Sequence, residues 1–571
     1  MSQMILPGVY ITEHAEGLIA PGQITIGNIG VVGTAAKGAV LTPILLGSFQ
    51  DAVQEFYTYG PWLDDTGQVN SNALTLVRAL EQAFAFGATT VYAVRVSKTD
   101  AQLQPAATAA SASLKAGGGL GVTLQANQPG TWGNHLSVKV EIQKGVEPFI
   151  DSEVVPISGP QAFKLRRPID LQSARNKVVL TNGSVVTNLT VVNRAPKPGN
   201  GEVQIDPSGK LIFPGGEQPK APAILTVNYM VKADARLVTI NFDQASEVYS
   251  VADGEDLAAQ VTTESSWVNA TPDPANQFQP LSEVLTPVFL KGGDDAAGSA
   301  NYQAGLDALL NSDVQIVLAA GQDQSFGNAL QRHCDLASSD TIKSERIAIV
   351  GTGLIDSGQA IPPRQSNVDT FFDKVVGHNL ASDRVIFVTP GIQAVDTPTQ
   401  TEVTLPGSYA AAAVAGLIST FDPEVSPTNK TLAVDTLEYA FDAAHLTELV
   451  RARVLALESR SGFRIVKGIT ADTSGAFSQI SIRRIVDYAK RGVRSAAEPY
   501  IGLLNDDRVR GAMHATINSF LAEMLNDEML ESYDLDVSAT REEEIQGIAR
   551  VTMTLQPVFS IDFIVVDMFL G

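Results

Sequence analysis

The chain has 571 residues, 44% hydrophobic and 18% charged, a globular composition with apolar material for several cores. Its formal net charge of −22 argues against a phosphate backbone as partner. Its one cysteine, Cys334, excludes an intrachain disulfide, so folding does not rely on an oxidising compartment. Residues 1–10 lack the charged-then-apolar pattern of a signal peptide, and no apolar run reaches the ~18 residues of a spanning helix. A soluble chain made in the cytosol, without membrane insertion, is the expectation.

In chain order, Val9 and Ile11 fall on one strand face and Tyr10 and Thr12 on the other, between Pro-Gly punctuations. This predicts a short strand on an arm over residues 1–22. Ile24 to Thr34 is apolar and glycine-bounded, Ala73 to Phe86 carries a helical stripe, and Val91 to Val96 is a strand. That order predicts an α/β core sheet with flanking helices, its first part spanning 23–116. From 117 to 284 the texture changes. Alternating runs at Leu136–Ile142, Lys177–Leu180, Val185–Val192 and Leu225–Val231 predict an inserted β-rich domain. The α/β pattern returns over 285–421, with helices at Tyr302–Leu310, Phe326–Ser338 and Ala410–Thr420. Strands are expected at Val314–Ala319, Arg346–Val350 and Val385–Val388. An α+β C-terminal domain follows over 422–571. Its expected helices are Leu437–Leu457, Ile482–Arg494 and Val509–Leu530. Its expected strand runs from Ala549 to Leu570, with a bulge or edge at Pro557.

Both chain ends carry strand character, at 7–13 and 551–566. Pairing inside the subunit and reaching to a neighbour both fit that pattern. On the helix Ile482–Arg494, at ~100° per residue, Arg483, Lys490 and Arg494 share a face flanked by Arg484 and Arg491. A solvated face is the plain alternative to a binding stripe. Gly407-Ser408-Tyr409-Ala410 echoes the serine-bearing helix start of subtilases. The nearest upstream histidine, His378, lies too close for the subtilase order. His333 and Cys334, adjacent on a helix, point ~100° apart and so do not face each other. Cysteine and histidine spacings fit no zinc site, and Gly209-Lys210 lacks the rest of a phosphate loop. No cofactor or metal is expected.

Several segments, in order, resemble the contractile-tail sheath family. Pro7-Gly8-Val9-Tyr10 resembles its opening arm. Val32-Gly33-Thr34-Ala35-Ala36-Lys37-Gly38 is similar to the turn after its first core strand. Gly87-Ala88 with Val91–Val96 resembles the strand after its first long helix. Pro129-Gly130-Thr131-Trp132-Gly133-Asn134, then Leu136 and Val138, resembles the entry into its insert. Phe289-Leu290-Lys291-Gly292-Gly293-Asp294 is similar to the return. Ile482-Arg483-Arg484-Ile485 and Glu498-Pro499 resemble its C-terminal signature. The chain departs from the family's pattern at Val466-Lys467-Gly468-Ile469-Thr470 and at Tyr500, so the subfamily stays open.

The resemblance implies a subtilisin-like core and a structural subunit without enzyme activity. Such subunits polymerise in stacked rings around a tail tube and contract to drive the tube through a target envelope. It implies intersubunit strand exchange by Val9, Tyr10, Ile11 and Thr12 at one end. At the other end it implies exchange by Val551, Met553, Leu555, Phe559, Ile561 and Phe563. It implies a tube-contacting helix bearing Arg483, Arg484, Lys490, Arg491 and Arg494. The implied partners are further copies of the chain, the tail tube protein, and the baseplate and tail terminator proteins. The implied location is a virion tail or tail-like particle assembled in the host bacterial cytoplasm. A serine hydrolase using Ser408, and an adhesin built on the insert, are the alternatives.

Overall fold

The apolar run after Asn28 forms a fully buried strand, Ile29–Gly33, shorter than the element expected from Ile24. The computed structural model describes residues 25–70, 73–192, 198–215, 218–356, 363–473, 475 and 477–569. The expected opening arm, with Val9, Tyr10, Ile11 and Thr12, lies outside the described residues. Ile29–Gly33 sits within an eight-stranded sheet. Its order is Pro43–Leu46, Val91–Arg95, Ile29–Gly33, Ile316–Ala319, Ile347–Gly351, Val385–Thr389, Leu455–Ser459 and Phe463–Ile465. The inner strands run parallel, and an antiparallel strand closes each edge. Parallel strands are covered on both faces, which explains why Ile347–Gly351 and Val385–Thr389 are apolar and buried at nearly every position.

Helices Leu76–Ala85 and Gly407–Ser419 pack on each other beside this sheet. Small residues set their spacing: a Cβ at Gly416 would lie 2.3 Å from the Ala83 carbonyl oxygen. The alanine-rich run from Ala410 is therefore a close-packed core helix.

The chain divides into two compact units. One comprises the described residues up to Ala35, then Val40–Gln104 and everything from Ala297. The other comprises Ala36–Ala39 and Pro105–Ala296, and holds sheets of six, four and three strands with the helix Gly254–Glu264. This unit extends beyond the change of sequence texture at 117 and 284. Ser111–Ala116 pairs with Gly119–Ala126, and Thr108 and Ser111 bridge to Asp294 and Lys291. Its interior is pinned by Arg167, which donates to Asp253 and Glu153.

The C-terminal domain departs from expectation in three places. The helix expected over Leu437–Leu457 is confined to Ala443–Arg451, capped by Asp442. The backbone turns at Arg453 with φ 63°, and Leu455–Ser459 joins the core sheet beside Val385–Thr389. The run Val454-Leu455-Ala456-Leu457 suits a buried helix or a buried strand, and the open sheet edge selects strand. The helix expected to end at Leu530 is Asp507–Asn526, and Leu530 instead opens a strand, Leu530–Ser538. The strand expected from Ala549 to Leu570 is confined to Arg550–Pro557. Among the described residues no helix is long and apolar enough to cross a membrane.

Candidate assembly surface

The helix Ile480–Ala497 buries one face against Asp507–Asn526. Ile482, Ile485, Ala489 and Ala496 share a core with Met513, Ile517, Phe520, Leu521 and Met524. Gly492 permits the approach: a Cβ there would lie 1.9 Å from Cζ of Phe520.

The same helix carries the five predicted cations, which the fold separates. Arg483 is 4% exposed and donates to Asp383 at 2.8 Å and Asp487 at 2.7 Å. Arg484 is 8% exposed and donates to backbone carbonyls of Asp422, Phe421 and Ile26. Burial pushes its guanidinium down to about 10. Arg491 donates to the carbonyls of Glu345 and Val314 and to Asp313. Arg494 grips the Glu345 carboxylate at 2.8 and 3.1 Å. Burial opposes ionisation of Glu345, yet the Arg494 hydrogen bonds and the two arginine charges hold it below the usual carboxylate range. Lys490 is exposed.

The expectation of one free basic stripe is thus corrected for Arg483 and Arg484. Their water is replaced by Asp383, Asp487 and main-chain carbonyls, because an unpaired guanidinium in the interior would be costly. Arg491 and Arg494 are half-buried and tied to the core. The i,i+4 spacing of Arg483 and Asp487 was the available sequence signal, whereas Asp383 and Glu345 are brought in by folding.

Val551, Met553 and Leu555 lie on Arg550–Pro557, which pairs antiparallel with Leu530–Ser538 of the same chain. Val551 faces Val537, Met553 faces Leu535 and Leu555 faces Tyr533. These three pair within their own chain, in a hairpin whose inner face packs on the two long helices. The alternation Tyr533, Leu535, Val537 is the sequence sign of the partner strand. The intervening helix Arg541–Gln546 begins with a capping box of Thr540 and Glu543 and ends at Gly547 with φ 74°. Among the described residues no third strand joins this two-stranded sheet, so neither edge pairs with a further strand.

Beyond Pro557 the described chain has no regular secondary structure. Phe559 and Ile561 are exposed, and Phe563, Ile564, Val565, Val566, Met568 and Phe569 are each at least 75% exposed. Apolar side chains so exposed and so close together are unlike the scattered hydrophobics of an ordinary protein surface.

The hydrolase alternative finds no chemistry at Ser408. The side chain is 3% exposed and its Oγ has no hydrogen-bond partner. His378 uses both ring nitrogens elsewhere, with Nδ1 accepting from the Leu380 N–H and Nε2 bonded to the Ala452 carbonyl. Burial pushes Cys334 up to about 12, and burial with the Arg346 charge pushes His333 down to about 3, so this pair holds no thiolate–imidazolium. Among the described residues no cluster of metal-ligating side chains occurs.

The family model of the phage tail sheath C-terminal domain matches residues 472–571, the stretch holding the arginine helix, its partner helix, the hairpin and the apolar segment. The sheath tail protein of Desulfitobacterium hafniense aligns with a TM-score of 0.56 and 13% identity, covering 96% of this chain and 100% of that one. The sheath tail protein of Listeria innocua aligns with a TM-score of 0.54 and 12% identity, covering 95% of this chain and 94% of that one. No curated protein matches the chain. The fold is that of tail sheath proteins. Over residues 472–571 the chain is similar to the phage tail sheath C-terminal domain.

Proposed function

We propose that the chain is the structural subunit of a contractile tail sheath, polymerising around a tail tube and contracting to drive it through a target envelope. The observation that carries this reading is the hairpin with two open edges, continued by an apolar segment at least 75% exposed from Phe563. Open strand edges and uncovered apolar residues at a chain end suit strand addition between copies. In this reading Phe563 begins the crossing segment, with Phe559 and Ile561 at its root, and Val9, Tyr10, Ile11 and Thr12 form its counterpart. Val551, Met553 and Leu555 supply the strand to which neighbours add.

The role is mechanical, without enzyme activity. Many subunits switch together from a metastable extended arrangement to one with better interfaces. Lys490, with the outer parts of Arg491 and Arg494, is the portion of the arginine helix left to meet an acidic tube surface. Exposed ion pairs worth ~0–1 kcal/mol each suit a contact that must release. The core is of the subtilisin-like kind, supported by its parallel inner strands and the helix Gly407–Ser419. The baseplate and a tail terminator are the remaining partners, in a tail or tail-like particle assembled in a bacterial cytoplasm.

Negative-stain microscopy of the purified chain, alone and with its cognate tube and baseplate, tests the proposal. Hollow ridged cylinders are expected. Persistent monomers with tube and baseplate present would overturn it.

A further inference from the structure

Exposed apolar side chains begin at Phe559 and Ile561, while the backbone and polar side chains of 558–562 are held. After Pro557, the Val558 N–H donates to the Met529 carbonyl at 3.1 Å. Ser560 is bound by the side-chain amide of Gln479 on both of its backbone groups. Its N–H donates to Oε1 at 3.2 Å, and its carbonyl accepts from Nε2 at 3.3 Å. Gln479 thus pairs with residue 560 as a neighbouring strand would. Asp562 then accepts from Gln479 Nε2 at 3.1 Å and Thr428 Oγ1 at 3.4 Å, and pairs with Lys467 Nζ at 3.2 Å. Its side chain is 11% exposed. One residue later the chain is 78% exposed.

Gln479 immediately precedes the arginine helix, which Asp487 joins to Arg384 of the core. The root of the segment is therefore tied to a helix that a buried ion pair anchors to the core.

We propose that Gln479, Lys467, Thr428 and Asp562 form a clasp that fixes the root of the C-terminal segment on the subunit that owns it. Residues 563–569 are thereby presented to a second copy of the chain as a tethered apolar strap. The inference rests on the sheath reading and adds the residues that set where the crossing strand departs. A strap with a fixed root has less freedom to lose on binding than a loose tail, and its effective concentration at the neighbouring edge is higher. The clasp also carries tension into the helix, so that subunits can turn past one another while the strap stays attached.

Hydrogen exchange by mass spectrometry on the full chain tests the clasp, comparing wild type with Gln479→Ala and Asp562→Ala. Gln479 makes no side-chain cap to its helix, so its replacement removes the contacts to Ser560 and Asp562 without removing a cap. In Gln479→Ala, exchange at Ser560 is expected to rise about tenfold or more, while the hairpin keeps its protection. Both variants are expected to form ordered cylinders on tube and baseplate at least several-fold more slowly than wild type. Unchanged exchange at 558–562, or raised exchange with unaltered assembly, would overturn the clasp. A chain ending after Asp562 separates the two ideas: normal cylinders from it would overturn strap exchange itself, whatever the exchange data show.

Discussion

Arg384 and Asp487, 103 positions apart, form a two-point ion pair, with Nη1 to Oδ2 at 2.8 Å and Nη2 to Oδ1 at 3.0 Å. Asp487 also accepts from Arg483, and Arg384 donates further to the Arg346 carbonyl. One carboxylate therefore holds two buried guanidiniums and joins the C-terminal helix to the core. Asp487→Ala leaves both cations without it, and a loss of about 3–5 kcal/mol is expected in urea unfolding. Asp487→Asn, which keeps part of the hydrogen bonding, is expected to lose less. A loss below 1 kcal/mol for Asp487→Ala would mean that the pair is not buried in solution.

Gly492 lies against the ring of Phe520, which an added Cβ would meet at 1.9 Å. Gly492→Ala gains helix propensity but forces the two helices apart, with a net loss of about 1–3 kcal/mol expected. Thermal melting of Gly492→Ala beside the double variant Gly492→Ala/Phe520→Leu checks the cause. The double variant is expected to recover part of the loss relative to Phe520→Leu alone.

Glu438 is 4% exposed, and its carboxyl accepts the N–H groups of Ile355 at 2.6 Å and Gly391 at 3.1 Å. Burial pushes it up to about 7. A folded value above the unfolded one of 4.5 means that its contribution is full below pH 4.5 and is lost as pH rises through about 7. The difference in unfolding free energy between wild type and Glu438→Ala is therefore expected to be larger at pH 5 than at pH 8. An equal difference at both would show that the group does not titrate in that window.

Cys334 is fully buried, and burial pushes its thiol up to about 12. Native protein at pH 8 is expected to react with a disulfide reagent at a small fraction of the rate seen in urea. Rapid labelling of folded protein would show that this helix opens locally.

Deleting residues 1–15 is expected to stop sheath assembly and leave a soluble monomer. Truncation before Val551 removes a strand of the hairpin as well as the segment beyond it. Without Arg550–Pro557 the strand Leu530–Ser538 loses its partner, and Tyr533, Leu535 and Val537 lose cover. That shorter chain is expected to aggregate, whereas a chain ending after Asp562 stays monodisperse. Size-exclusion chromatography distinguishes the three.

The helical stripes at 76–85 and 480–497 and the apolar runs of the core sheet were legible because each depends on local periodicity. The arginine helix itself was legible for the same reason. The direction of its charges was not, since a cation on a helix reads alike whether it meets water or Asp383, 100 residues earlier in the chain. The strand Leu530–Ser538 was less legible because its outward positions Ser532, Asp534, Asp536 and Ser538 lower its strand propensity.

By itself the sequence determined the alternation of strand and helix, the β-rich interruption and the apolar end of the chain, all set by neighbouring residues. Tertiary structure decided that Val454–Leu457 is sheet, that Arg483 and Arg484 are internal, and that Val551–Leu555 pairs with its own subunit. In each case several local states have similar energy. Only a distant partner, whether an open strand edge, a buried carboxylate or a facing strand, selects between them.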